Sequence, residues 1–294
     1  MKFEKWQALG NDYLIVEAAA LPWEPTAERV RRLCDPHFGV GGDGILLLAP
    51  VEDPAYVAEL RIFNPDGSEA ELSGNGAREA VLYLRRSGWT DADEFTILTK
   101  AGPITPTIRS DRECTLEMGR ASTRSPDYPS GPEDGHGELE AGGRVWRFQH
   151  VSIGNPQCAI EAGEELESLD LAAIGPEIEN SALFPNRTNV SFFRASGDRV
   201  RARIFERGVG ETLSSGTGAS GAAVAAHLAG APASLTVELD GGELQVEVGA
   251  DLAVRLTGWA QPLYSGELSP ELLRDLEGLS RLEADAIRRN LPNP

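Results

Sequence analysis

The stretch Ser73-Gly74-Asn75-Gly76-Ala77, inside "NPDGSEAELSGNGAREAVLYLRR" (64–86), decides how the chain is read. A near copy, Ser215-Gly216-Thr217-Gly218-Ala219, lies inside "RIFERGVGETLSSGTGASGAAVAAHLAG" (203–230). Each follows a short apolar run and a polar, Gly-rich segment, and each runs into a helical pattern. A Gly-rich turn at a helix start leaves backbone N–H groups unpaired at the positive end of the helix dipole, which suits an anion. Ser and Thr there are also ordinary capping residues. Two such turns with matched flanks suggest two half-molecules that share one anionic ligand.

Outward from these turns, each half reads as strands around one helix. Residues 2–8 alternate as a strand, and 10–17 are a turn and a second strand, a hairpin. A short helix over 25–33, a buried strand after "FGVGG" (38–42), and a strand, Asn-Pro-Asp-Gly turn and polar strand over 57–71 precede the first helix, 76–86. Short strands run to about residue 119. Residues 121–142 are rich in Ser, Pro, Gly and Glu and read as an irregular crossover between domains. The second half repeats the plan. Strands flank "IGNPQC" (153–158), a helix covers "ELESLDLAAIGPEIE" (165–179), and two strands lead to the small-residue helix 218–229. A hairpin then turns at Asp240-Gly241-Gly242.

The fold class expected is α+β: two pseudo-symmetric domains, each a curved, mostly antiparallel sheet around a central helix, with a cleft between them. The expected bounds are 1–119 joined by a closing strand at about 260–268, then 120–259, then a helical extension over 269–294. That extension starts at Ser269-Pro270-Glu271. Leu272, Leu273, Leu276 and Leu279 give it an apolar stripe suited to docking on the body, and a second short helix holds Leu282, Ala286 and Ile287.

Composition narrows the partners. The chain has 294 residues and a formal charge of −19, which argues against nucleic acid and against an anionic membrane surface. No stretch approaches 18 apolar residues and no signal peptide is evident, so the expected location is the cytoplasm. Cys34, Cys114 and Cys158 are too sparse for a disulfide scaffold. The four histidines lack metal-ligand spacing. Only Lys2, Lys5 and Lys100 of the 27 basic residues are lysines, so a pyridoxal Schiff base has few candidates. "GVGGDG" does not open a βαβ unit, so a dinucleotide is disfavoured. No metal and no cofactor are expected.

The polar groups near the two turns suit an amino acid. Asn11, Asn64, Asn155 and Asn189 sit at strand ends, where an amide can both donate and accept. Glu206 and Arg207, side by side before the second turn, match the two charges of an α-amino acid, or form a structural ion pair. Arg78 reads as a salt-bridge residue. Asp43, Glu69 and Glu211 are loop acids that could serve as bases.

The motifs "GNDY" (10–13), "FGVGGDG" (38–44), "RIFNPDGSEAELSGNGAR" (61–78), "TKAG" (99–102), "IGNPQC" (153–158), "NRTNVSF" (186–192) and "IFERGVGETLSSGTGAS" (204–220) together resemble the diaminopimelate epimerase family, over about residues 1–268. The resemblance implies two domains closing over a substrate and a cofactor-independent proton transfer at an amino acid α-carbon. One thiolate would remove the proton and a thiol on the other face would return one. It implies LL-diaminopimelate as substrate, the meso form as product, a role in lysine biosynthesis, and a homodimer. By motif position it makes Asn11, Asn64, Asn155 and Asn189 substrate-holding. Glu206 and Arg207 would grip the α-amino-carboxylate, and the N–H groups of Gly74, Asn75, Gly216 and Thr217 would hold the carboxylate. The family's two cysteines match Ser73 and Ser215, and its histidine after "NP" matches Gln157. On this reading activity is doubtful, because a hydroxyl is a far weaker acid than a thiol. The alternatives are a silent or divergent paralog that binds an amino acid, an engineered Cys-to-Ser pair, or a non-enzymatic interaction scaffold.

Overall fold

The structure is a computed structural model and describes residues 1–289, with side chains through Leu279. It divides into two units. The first comprises Met1–Ala8, Asp12–Thr105 and the chain from Ala260; the second comprises Leu9–Asn11 and Pro106–Trp259.

The first unit holds β1 (Lys2–Ala8), β2 (Asn11–Glu17), β3 (Ile45–Ala49), β4 (Glu59–Phe63), β5 (Glu69–Ala70), β6 (Ile97–Thr99), β7 (Gly102–Ile104) and the closing strand β19 (Gln261–Glu267). They form one mixed sheet in the order β19-β1-β2-β3-β4-β6-β7, with β5 beside β4. Its helices are α1 (Ala27–Cys34), α2 (Gly74–Arg86) and α5 (Pro270–Arg289). Ala77, Ala80, Val81 and Leu84 of α2 are fully buried. The α5 stripe docks on the body: Leu276 is buried with Val30 and Leu33 of α1, and the Arg29 Nε–H donates to the Leu276 carbonyl. A single helix runs through Arg289 where two were expected. The expected contributions of Leu282, Ala286 and Ile287 lie outside the described side chains.

The second unit holds β8 (Thr107–Ser110), β9 (Glu113–Arg120), β10 (His136–Ala141), β11 (Arg144–Ser152), β12 (Pro156–Glu161), β13 (Asn189–Ser196), β14 (Arg199–Glu206), β15 (Gly210–Thr212), β16 (Ser234–Leu239), β17 (Gly242–Val248) and β18 (Ala253–Trp259). The order is β10-β11-β12-β13-β14-β16-β17-β18-β9-β8, with β15 beside β14. The pairs β12–β13 and β14–β16 are parallel. The expected boundary near 119 is moved to Thr105/Pro106, because β9 pairs with β18 along its whole length. The region expected to be an irregular crossover also carries β10, which pairs with β11 from His136 to Ala141.

Two α-helices complete this unit, α3 (Leu171–Glu179) and α4 (Gly216–Leu228), with a 3-10 turn over Gly163–Ser168 ahead of α3. Residues Gly218 through Ala226 of α4 are all buried. It touches β11, β12, β13, β14, β16, β17 and β18, so the sheet wraps around it. Small residues make this possible. A Cβ at Gly221 would lie 2.9 Å from the Gln157 side chain, and one at Gly218 would lie 2.7 Å from Ile204. Each glycine costs a helix about 1 kcal/mol relative to alanine, which close packing offsets.

The β1–β2 turn belongs to this second unit. Leu9 and Gly10 have φ of 53° and 84°, the left-handed pair that a two-residue hairpin turn needs. Leu9 is fully buried beside the Gly241-Gly242 turn.

Candidate functional site

In the second unit, Ser215 is the N-cap of α4, and its Oγ accepts the Gly218 N–H at 3.2 Å. The same hydroxyl donates to Glu206 Oε2 at 3.1 Å, while Thr212 donates to Glu206 Oε1 at 2.8 Å. Burial pushes the Glu206 carboxyl up from its ordinary value, and the two hydroxyl donors only partly offset this. Gly216 and Thr217 form the first turn of α4, whose N–H groups have no partner within the helix.

Asn155 donates to Thr217 Oγ1 at 3.2 Å and accepts from Gln157 Nε2 at 2.7 Å. Asn189 bridges backbone groups: Nδ2 donates to the Pro156 carbonyl and Oδ1 accepts the Arg207 N–H. It therefore fixes the turn that carries Arg207. One guanidinium N–H of Arg207 goes to the Asn186 carbonyl at 2.9 Å. Buried Glu179 braces the same turn, accepting from the Gly208 N–H and from Arg187.

In the first unit, Ser73 caps α2 and accepts the Gly76 N–H at 3.1 Å. The Tyr13 hydroxyl also donates to Ser73 Oγ, at 3.3 Å. Arg78 is fully buried and serves the helix start: it donates to the Gly74 carbonyl and to Asn75 Oδ1, so it is a brace for the turn. Asn64 closes its own turn through Ser68. Asn11 lies at the hairpin tip, in the second unit.

The three acids expected in loops are occupied, and two of them lie in strands, Glu69 in β5 and Glu211 in β15. Glu69 pairs with Arg61, which holds its carboxyl low, and Glu211 pairs with Arg203. Asp43 exchanges backbone-to-carboxylate bonds with Asp12. The second unit thus joins six predicted residues pairwise: Glu206 with Ser215, Asn155 with Thr217, and Asn189 with Arg207. Sequence reasoning did not give roles to Tyr13, Thr212 or Glu179, whose side chains meet the site only through the fold. Among the described residues no His, Cys, Asp and Glu group is arranged to hold a metal, and no helix is long and apolar enough to cross a membrane.

The fold defines the class first. It matches a probable proline racemase from Agrobacterium radiobacter (TM-score 0.67, 16% identity, 92% of this chain and 93% of that one). It also matches a hydroxyproline epimerase from Agrobacterium vitis (TM-score 0.63, 18% identity, 90% and 91%). At those identities the likeness is one of fold alone.

Sequence then narrows it. The diaminopimelate epimerase family model matches residues 3–124 and 149–261. A diaminopimelate epimerase of Synechococcus sp. (strain JA-3-3Ab) is 41% identical, over 90% of this chain and 97% of its own length. One from Pelotomaculum thermopropionicum is 38% identical, over 91% and 98%. The chain belongs to the diaminopimelate epimerase family.

One expectation is corrected. Serine at the two turns makes activity doubtful on sequence grounds, with a silent or divergent paralog, an engineered pair or a scaffold as alternatives. The family model spans both turns, the epimerase relatives align over nearly the whole chain, and Cys34, Cys114 and Cys158 remain as cysteines. The likeness supports an amino-acid epimerase, and that doubt does not stand. All three thiols are buried. Burial, then Asp43 and Asp12, pushes Cys34 up to about 12, and burial alone raises Cys158 well above its ordinary value.

Proposed function

We propose that this chain is a cofactor-independent amino-acid epimerase that moves a proton at the α-carbon, with diaminopimelate, named for its relatives, as substrate. The observation that carries this reading is the Ser215 hydroxyl, held at the N-terminus of α4 and donating to the buried Glu206 carboxyl. On this reading the N–H groups of Gly216 and Thr217 and the Arg207 guanidinium would receive the substrate carboxylate.

A serine hydroxyl is roughly 5 pK units weaker as an acid than a thiol, so a free alkoxide would cost on the order of 7 kcal/mol. A concerted relay avoids it. Ser215 Oγ takes the α-proton as its own proton passes to Glu206 Oε2. The electron pair of the broken C–H bond stays on the substrate, delocalised into its carboxylate. Raised by burial, Glu206 is a stronger base than an ordinary carboxylate. In the first unit Ser73 has the opposite polarity. It accepts from the Gly76 N–H and from Tyr13, so its own proton is the one left to give. Ser73 is the proposed proton donor.

The test is solvent exchange. With LL-diaminopimelate in D2O, NMR should show deuterium entering the α-position, and Glu206→Gln should slow this by at least ~100-fold. A protein that binds the compound but never exchanges its α-proton overturns the reading. We also infer a homodimer, supported by the exposed Leu263 and Tyr264 on β19. Sedimentation at twice 31.5 kDa would bear this out, and a monomer would refute it.

A further inference from the structure

Gln157 takes part in no step above, yet it is fully buried and ends a chain of hydrogen bonds that reaches α4. Its Nε2 donates to Asn155 Oδ1 at 2.7 Å, and Asn155 Nδ2 donates to Thr217 Oγ1 at 3.2 Å. Gln157 Oε1 is buried with no hydrogen-bond partner.

The chain has a sense, because an amide oxygen can only accept and an amide nitrogen can only donate. In the observed sense the Thr217 hydroxyl receives a hydrogen bond, so its own proton is free to be given outward beside the N–H groups of the first turn. Thr217 is only half-buried, whereas Gln157 is sealed. Turning both amides over would make Thr217 donate inward to Asn155 and would remove that proton from the site. It would also bury an NH2 group at the closed end in place of one carbonyl oxygen. An orphaned N–H is rarer and less tolerated than an under-used carbonyl. The sealed end of the chain therefore selects the sense of the open end.

We propose that Gln157 is a positioning residue: it locks Asn155 so that Thr217 presents a hydroxyl donor to the substrate carboxylate. This rests on the epimerase reading and adds to it the source of a third donor, beside the Gly216 and Thr217 N–H groups.

Three substitutions test it, with KM and kcat for LL-diaminopimelate α-exchange and calorimetric Kd for the same compound. Gln157→Glu, nearly isosteric, can only accept when ionised; it reverses the chain and should raise KM and Kd by ~10–100-fold with kcat changed less than about threefold. Gln157→Met leaves Asn155 free and should fall between, at ~5–10-fold. Gln157→His restores a ring N–H donor and should stay within about threefold of the parent.

A purely packing role gives the opposite order, with the isosteric Glu mildest and His worst. That order, or an unchanged KM in Gln157→Glu, overturns the proposal while leaving the epimerase reading intact. Thermal unfolding of each variant identifies a misfolded one, in which case the remaining two fix the order. A parent protein that neither binds nor exchanges diaminopimelate removes both readings together.

Discussion

Glu79 sits one and a half turns into α2, fully buried, and neither carboxyl oxygen makes a hydrogen bond of normal geometry. Burial raises its pKa well above the ordinary value; the Arg78 guanidinium and the nearby Tyr13 amide oppose this without overcoming it. The folded state thus holds a proton that the unfolded chain releases above its ordinary pKa. That contribution is complete below the unfolded pKa and is lost as pH rises through the folded one. Glu79→Met keeps the volume and removes the polar atoms. A buried polar group without a partner costs about 1–3 kcal/mol, so Glu79→Met should stabilise by about that amount near neutral pH. For a protein of this size, the rise in Tm is about 2–4 °C per kcal/mol. Calorimetric melting at pH 5 and pH 8 should find the gain over the parent larger at pH 8. If Glu79 is instead the ionised counter-charge of Arg78, Glu79→Met will lose about 3–5 kcal/mol, and the neutral-carboxyl argument is wrong.

Other outcomes follow from the same geometry. The acid limb of the exchange rate should rise with pH through a midpoint above that of an ordinary glutamate, because the ionised Glu206 is the acceptor and burial raises its pKa; a limb centred at the ordinary value would count against Glu206. Gly221→Ala should destabilise by about 1–3 kcal/mol in urea unfolding, since the new methyl meets Gln157 at 2.9 Å and overpacking exceeds the gain in helix propensity. Leu276→Ala should cost about 2–4 kcal/mol by the same assay, because this fully buried side chain anchors α5; a neutral result would mean the helix does not hold the body together.

The two Ser-Gly turns, their helices and most strands were legible because each signal is local: a cap, a glycine, a period of two. The small-residue run of α4 gave its burial for the same reason. The boundary at Pro106 was not legible, since β9 joins the second unit by pairing with β18, far along the chain. In the site, Glu206 and Ser215 were named, but their hydrogen bond was not, because β14 and α4 meet only in the fold. Asn189 read as a ligand group from its place before a strand, whereas its amide is engaged with Pro156 and Arg207. A sequence shows which residues can donate and accept, and only the packed chain shows what they already hold.

The tip Leu9–Asn11 has a practical outcome for dissecting the molecule. Its flanking strands count with one unit and it counts with the other, so a polypeptide cut to Pro106–Trp259 would lack the leucine that fills the space beside Gly241. Such a fragment would open a hole at that turn and would also lack Asn11. Supplying a short peptide that carries Leu9 should recover part of what the truncation loses.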